Sequence, residues 1–212
     1  MKQTTLKHTR RTVCTVLAAA ALAAGLSACA PLIVGGAVVG GVMAVDRRTT
    51  GTQIEDEGIE LRAANRIRET LGDRAHVNVT SYNRQALLTG EVPSAQDRQT
   101  VEQIVSQVEN TRSVVNDLAV MPASSLSQRS NDTFITGKVR ASLVDAQDIS
   151  ANSFKVVTER GNVYLMGRVT QREGTIAADV ARGVSGVYKV VKVFEYISED
   201  EWKQYQPKPA AN

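Results

Sequence analysis

Cysteine, histidine and aromatic residues are scarce in this sequence. Its 212 residues include two cysteines, two histidines and only 4% aromatic residues. Cys14 lies inside an apolar N-terminal run and Cys29 directly follows that run, so we expect the mature protein to contain no disulfide and no thiolate nucleophile. Few groups remain for acid–base, covalent or metal-assisted chemistry, and we expect no catalytic site, no cofactor and no metal.

A basic excess and a membrane-spanning hydrophobic run are also missing. The four basic residues of the N-terminal segment are Lys2, Lys7, Arg10 and Arg11. Removing these four from the 25 basic residues leaves 21 against 22 acidic residues, a net charge of −1. A general nucleic-acid binder carries a basic excess, so we expect no nucleic-acid partner. The apolar runs 13–26 and 31–45 are both too short to cross a bilayer about 30 Å thick as a helix.

Residues 1–28 have the organisation of a lipoprotein signal peptide. A basic stretch precedes the apolar run, which ends in Leu26-Ser27-Ala28-Cys29. This ending resembles the lipobox of bacterial lipoproteins, in which the cysteine carries acyl chains and becomes the first mature residue. Cys29 is therefore the expected lipid-attachment site. Ala30 stands where lipoproteins retained in the inner membrane typically carry aspartate, so the resemblance implies sorting to the outer membrane.

Residues 29–56 form the expected lipidated segment and linker. Residues 31–45 are apolar and rich in glycine, and two interpretations stay open for them. They could lie against the membrane surface or a partner, or they could be a flexible linker. Residues 46–56 are polar and lack periodicity, so we expect no regular structure there.

The rest of the chain contains an internal repeat. Residues 87–92 (LLTGEV) parallel residues 164–169 (YLMGRV) at an offset of 77. Each copy continues with a capping-box signal, at Ser94 and Thr170, and then with one apolar face at helical spacing. Each closes on a valine-rich strand, residues 114–120 and 190–196.

The correspondence extends upstream to a first helix and a strand in each copy. An apolar stripe with i, i+4, i+8 spacing occurs in both helices, matching Ala63, Ile67 and Leu71 with Ile135, Val139 and Leu143. Strand candidates 77–82 and 154–158 follow. The predicted fold is α+β, with two tandem αββαβ domains, each a three-stranded mixed sheet with two helices on one face.

The predicted domains span residues 57–121 and 131–198, with a linker at 122–130 and a C-terminal tail at 199–212. Units this small bury a modest share of their surface, so we expect the two copies to pack against each other. The tail carries Trp202 and Tyr205 and could fold over the domain or engage a partner, although a frayed end is our expectation. His76, at the start of a strand, is expected to be a surface residue.

Several motifs make the chain similar to a known envelope family. They are Gly51-Thr52-Gln53, residues 131–136 (NDTFIT), Lys138-Val139-Arg140, residues 163–167 (VYLMG) and residues 184–187 (VSGV). This arrangement resembles the tandem BON-domain proteins, and with the lipobox it resembles the dual-BON lipoproteins of the bacterial outer membrane. Phe134 departs from the tryptophan that is usual in close relatives.

The first helix of the second copy is apolar on two sides. Opposite its core stripe, at 100° per residue, lies an outer stripe flanked by two cations. The stripe consists of Phe134, Gly137, Ala141 and Val144, and the cations are Lys138 and Arg140. The corresponding residues of the first copy are polar or small, namely Arg62, Asn65, Glu69 and Gly72, so only the second copy is expected to carry a docking surface.

Three possible binding partners remain for the outer stripe: the first copy, phospholipid, and another protein. The resemblance favours anionic phospholipid, notably phosphatidylglycerol, which this helix meets in dual-BON lipoproteins. The implied lipid-binding residues are Phe134, Ile135, Gly137, Lys138, Arg140, Ala141 and Val144. Ile135 is included on resemblance alone, because periodicity places it toward the core.

The resemblance also implies a role. It implies a lipid-anchored outer-membrane protein that faces the periplasm and maintains envelope integrity, with enrichment at division sites. The alternative is a periplasmic protein-interaction adaptor that supports the outer-membrane protein assembly machinery.

Overall fold

The computed structural model describes residues 46–205. The predicted signal peptide, Cys29, residues 31–45 and residues 206–212 lie outside the described residues. The helices are α1 (Thr50–Leu71), α2 (Ala95–Ser106), α3 (Leu126–Asp145), α4 (Gln171–Arg182) and α5 (Glu199–Gln204). The strands are β1 (His76–Tyr82), β2 (Gln85–Val92), β3 (Ser113–Asn116), β4 (Ala119–Val120), β5 (Lys155–Glu159), β6 (Asn162–Val169) and β7 (Lys189–Tyr196).

The two copies have the predicted αββαβ order and mixed sheets. In the first sheet β2 pairs antiparallel with β1 and parallel with β3 and β4. In the second, β6 pairs antiparallel with β5 and parallel with β7. The closing strand of the first copy is broken at Asp117 and Leu118, because Leu118 turns into the core and its N–H donates to Asn116 Oδ1 at 3.2 Å.

Both helices of each copy cover the same face of its sheet. In the first copy, Ile59 and Ile67 of α1 and Val101 of α2 pack on Leu88 of the central strand. The second copy repeats this arrangement with the apolar stripe of α3, residues of α4, and Leu165 of β6. Because successive side chains of a strand point to opposite faces, the residues next to Leu88 and Leu165 face away from the helices.

Those opposite sheet faces pack against each other and form a third core. It contains Tyr82 and Leu87 of the first copy and Tyr164, Met166 and Val193 of the second. The expectation that the two copies pack together is confirmed. The central strands β2 and β6 are therefore covered on both faces, which explains their nearly continuous burial.

Two helices begin earlier than the sequence pattern indicated. Residues 46–56 were expected to lack structure, but α1 starts at Thr50, and Thr49 Oγ1 caps it by accepting the N–H of Thr52 at 3.1 Å. Similarly, α3 starts inside the predicted linker, where Ser125 and Gln128 form a capping box. Polar capping residues resemble linker composition, which is why both starts were missed.

The beginning of the tail is ordered, contrary to the expectation of a frayed end. Ser198 caps α5, and Trp202 Nε1 donates to Glu173 Oε1 at 2.8 Å. Tyr205 Oη accepts a hydrogen bond from Arg168 at 3.1 Å. The tail therefore folds back on the second copy. Of the helices in residues 46–205, none is both long and apolar enough to cross a membrane.

Candidate functional site

Asp132 holds α3 on the hairpin that joins β5 to β6. Its carboxylate oxygens accept the backbone N–H groups of Arg160 and Gly161, each at 2.8 Å. Both turn residues have left-handed φ angles, 52° and 71°. The left-handed φ of Gly161 favours glycine, and a Cβ there would lie 2.3 Å from the ring of Tyr188, which would have to move. These bonds fix which side of α3 faces the sheet.

The outer stripe of α3 is exposed. Phe134 is 64% exposed and Val144 is 71% exposed, and Gly137 and Ala141 between them are also exposed. The prediction that this stripe points outward is confirmed, and it does not pack on the first copy. Ile135 is only 1% exposed, because one residue along a helix turns the side chain by 100° into the core. It does not share the exposed surface.

The two cations predicted to flank the stripe do so. Lys138 Nζ lies 5.1 Å from the ring centroid of Phe134 and donates to the carbonyl of Ser185. Arg140 is exposed on the other side, with a guanidinium nitrogen 3.5 Å from the carbonyl of Val156. The arrangement gives an apolar ridge with positive charge on both sides.

A groove of about 510 Å³ adjoins the C-terminal end of the ridge. Arg140 and Val144 of α3 line one part of it, and Asp46 and Arg48 line another. Arg48 lies over the ring of Tyr82 at 4.2 Å from its centroid. The described chain therefore starts directly beside the outer face of α3.

Asp56 of α1 plays the same role as Asp132. It accepts the N–H groups of Asn83 and Arg84, each at 2.8 Å, and the hydroxyl of Ser81 at 2.6 Å. Burial alone would raise the pKa of Asp56, but these hydrogen bonds and one from Arg48 outweigh it and hold the pKa below its usual value. The offset of Asp56 and Asp132 in the repeat, 76 residues, is the signal that could have found both.

This pair corrects the predicted alignment of the first helices. Matching Ala63 with Ile135 was wrong by one helical turn, because the two aspartates align Ile59 with Ile135. The counterparts of the stripe are then Gly58, Leu61, Asn65 and Arg68.

The first copy therefore exposes apolar side chains as well. Leu61 is 64% exposed, and Ile54 lies on the same face two turns earlier. The exposed carboxylate of Glu57 lies between them on that face. The α1 surface thus does not lack apolar groups, and it carries the carboxylate of Glu57 as well as the cation of Arg68.

His76 is not an isolated surface residue. Its Nδ1 lies 3.1 Å from Glu91 Oε2, and Glu159 of the second copy lies beside both. Sequence spacing missed this cluster because its members come from three different strands.

A match to a family model identifies the fold and its two copies. Residues 56–122 and 131–198 both match the BON domain model. The chain therefore belongs to the BON-domain family, and it carries two such domains.

Known relatives extend the similarity over most of the chain. The outer membrane lipoprotein DolP of Haemophilus influenzae is 38% identical over 81% of this chain and 90% of that protein. A 21 kDa hemolysin of Actinobacillus pleuropneumoniae is 33% identical over 72% of this chain and 80% of that protein. Neither is named as an enzyme. The type III secretion protein CdsD of Chlamydia trachomatis superposes with a TM-score of 0.28 at 13% identity over 74% of this chain and 99% of the solved chain, too low to bear on function.

Proposed function

We propose that this protein is a non-enzymatic outer-membrane lipoprotein that binds anionic phospholipid through the outer face of α3 and supports envelope integrity, including at division sites. The observation that carries the proposal is the exposed apolar ridge of α3 between Lys138 and Arg140. An apolar stripe bordered by cations is typical of segments that rest at an anionic bilayer surface. The name of the Haemophilus relative supports the outer membrane as the location.

The place where the chain enters the described domains supports the same orientation. Sixteen residues separate the proposed lipid anchor, Cys29, from Asp46. At roughly 3.4 Å per residue they reach at most about 60 Å. Asp46, the first described residue, lines the groove beside Arg140 and Val144, next to the α3 surface. The anchor and the ridge would therefore meet the same membrane.

The two membrane contacts have different roles. Burying the ring of Phe134 is worth about 1.5–3 kcal/mol, and each cation near an anionic surface contributes about 1 kcal/mol. Three acyl chains on Cys29, at about 0.8 kcal/mol per buried CH₂, hold the protein on the membrane far more strongly. The lipid anchor would keep the protein on the membrane, and α3 would select among the lipids there.

The members of the proposed lipid site contribute differently. Phe134 and Val144 provide apolar area, while Gly137 and Ala141 let the bilayer surface approach the helix closely. Lys138 and Arg140 provide charge. Ile135 supports the helix from the core and is not a contact.

A titration of residues 46–212 tests the proposal. All three cores lie within residues 46–205, so this fragment keeps every buried contact described above. We expect phosphatidylglycerol micelles to shift amide NMR signals of residues 133–145 and phosphatidylcholine micelles to leave them in place. Phe134→Ser should weaken the interaction by about tenfold, which corresponds to about 1.4 kcal/mol.

Leu61→Ser is the matched control, because Leu61 and Phe134 are equally exposed. It should leave the affinity unchanged, since the carboxylate of Glu57 next to Leu61 repels anionic lipid. Equal shifts with both lipids, or none with either, would contradict the proposal and favour the protein-interaction adaptor.

A further inference from the structure

One imidazole and two carboxylates meet where the two domains join. His76 comes from β1 and Glu91 from β2, while Glu159 comes from β5 of the other domain. One nitrogen or oxygen of each side chain lies within 4.8 Å of the others. Glu91 and Glu159 are both buried. Such a set of donors held together inside a protein is the arrangement that metal ions use.

Two carboxylates of the cluster face a single guanidinium, that of Arg160, and the imidazole of His76. Arg160 Nη1 lies 2.9 Å from Glu91 Oε1 and neutralises that carboxylate. Among residues 46–205, Glu159 forms no ion pair and accepts a hydrogen bond from Asn78 Nδ2 at 2.9 Å. A buried carboxylate without a cation partner is stabilised by any cation that enters the cluster.

We propose that His76, Glu91 and Glu159 bind a divalent transition metal of the zinc class between the two BON domains. With metal–ligand bonds of about 2.1 Å, the donor atoms of a tetrahedral site lie about 3.4 Å apart. His76 Nδ1 and Glu91 Oε2 form a hydrogen bond of 3.1 Å, which is close to that separation, so a metal ion would replace the proton that they share. Arg160 Nη1 donates to Glu91 Oε1, while Glu91 Oε2 accepts the backbone N–H of Ser124 at 3.0 Å and faces the imidazole with its remaining lone pair.

The donor types narrow the choice of metal. Calcium and magnesium prefer sites made of oxygen ligands, whereas an imidazole nitrogen suits zinc, copper and nickel. A groove of about 350 Å³, lined by His76 and Glu159 and by Thr133 and Thr136 of α3, gives solvent access. Water from this groove would supply the fourth ligand.

Calorimetry on the full lipidated chain tests the site. The protein is purified in neutral detergent without a histidine tag, treated with EDTA, freed of chelator and titrated with ZnCl₂ at neutral pH. We expect one zinc ion per chain. Because the ligands come from both domains, zinc should also raise the melting temperature, and magnesium at the same concentration should not.

The matched variants separate this site from surface binding. His76→Gln and Glu159→Gln should weaken zinc binding by at least about tenfold. Glu199→Gln, in the exposed acidic start of α5, should leave it unchanged. Zinc binding should release protons and weaken as the pH falls, because the ligands must be deprotonated.

A measurement on the unsubstituted protein tests the site without depending on the folding of a variant. His76 is the single histidine of residues 29–212, so its imidazole NMR signals can be followed directly. Zinc should shift them at one equivalent. Unmoved imidazole signals, or zinc affinity that His76→Gln leaves intact, would overturn the proposal.

Discussion

Individual buried carboxylates decide how the helices of this protein meet its strands. Asp56 and Asp132 each accept two backbone N–H groups from a β-hairpin whose turn residues have left-handed φ angles. In that conformation the N–H groups point inward and need an acceptor. A single aspartate therefore closes the hairpin and fixes the rotation of the first helix in each domain.

The lowered pKa of Asp56 predicts acid sensitivity. Its contribution to stability is present above the unfolded-state pKa of about 3.9 and is lost as the pH falls through the lower pKa of the folded state. Asp56→Asn should lower the free energy of unfolding at neutral pH by about 1.5–3 kcal/mol and flatten its decline below pH ~4. Urea denaturation between neutral and acid pH measures both effects. Asp73→Asn, at an exposed position, is the control, and an equal loss there would refute the explanation.

At the scale of single elements, α1 and α3 are equivalent helices of the two domains that have different outer surfaces. Both helices place an aspartate and an apolar stripe against the sheet. Their outer faces carry exposed apolar side chains of similar accessibility, Leu61 on one and Phe134 on the other. The neighbouring charges differ, because the first face carries both Glu57 and Arg68, whereas the second is flanked by the cations Lys138 and Arg140. Charge, rather than hydrophobicity alone, separates the proposed lipid surface from its counterpart.

The helix α5 is predicted to contribute to stability through Glu173. This buried carboxylate accepts hydrogen bonds from Trp202 Nε1 and from Arg47. Burial would raise the pKa of Glu173, but the bonds from Arg47, Thr170 and Trp202 keep it below its usual value. Deleting residues 199–212 should lower the free energy of unfolding by about 1–3 kcal/mol.

Thermal and urea denaturation measure this loss, and Trp202→Phe tests its cause. That variant keeps an aromatic ring and removes the N–H donor, so it should reproduce part of the loss. If the deletion leaves stability unchanged, the contact with Glu173 contributes nothing.

At the scale of the whole molecule, the packed sheet faces join the two domains through a shared buried core, so we expect them to unfold as one unit. Tyr164 is fully buried in this interface, and its hydroxyl donates to Asp117 of the first domain at 2.6 Å. Burial, reinforced by the charge of Asp117, raises the pKa of Tyr164, so the phenol stays protonated at neutral pH. Each domain alone is small enough to be only marginally stable.

Removing Tyr164 should therefore uncouple the domains. We expect Tyr164→Ala to cost about 3–5 kcal/mol and to replace one unfolding transition with two in calorimetry. Tyr188→Ala, at an almost fully exposed tyrosine, should change stability by less than about 0.5 kcal/mol. A single transition of unchanged midpoint in Tyr164→Ala would show that the sheet faces do not stabilise each other.

The N-terminal segment is also tied to the second domain. The guanidinium of Arg47 forms two hydrogen bonds with Glu173, at 2.6 and 2.8 Å, in a buried ion pair. The chain then passes into α1 of the first domain. The start of the described chain is thus held against the domain that carries the proposed lipid surface.

The sequence by itself determined the repeat, the αββαβ order, the core stripes and the outward direction of Phe134 and Val144. These features depend on spacing within one element, and helix and strand periodicity convert spacing directly into direction. The caps at the starts of α1 and α3 also depend only on local sequence. They were not predicted because Thr49 and Ser125 lie in segments whose composition resembles that of a linker.

Only the tertiary structure decided which polar residues are buried together. The partners of Asp56 in the β1–β2 hairpin lie 25 or more residues away, and the cluster of His76, Glu91 and Glu159 combines strands of two domains. Folding of the tail onto Glu173 and the contact of the two sheets depend in the same way on distant segments. The sequence around a polar residue is the same whether its hydrogen-bond partner is water or a carboxylate far along the chain. Its partner is therefore determined only when the chain folds.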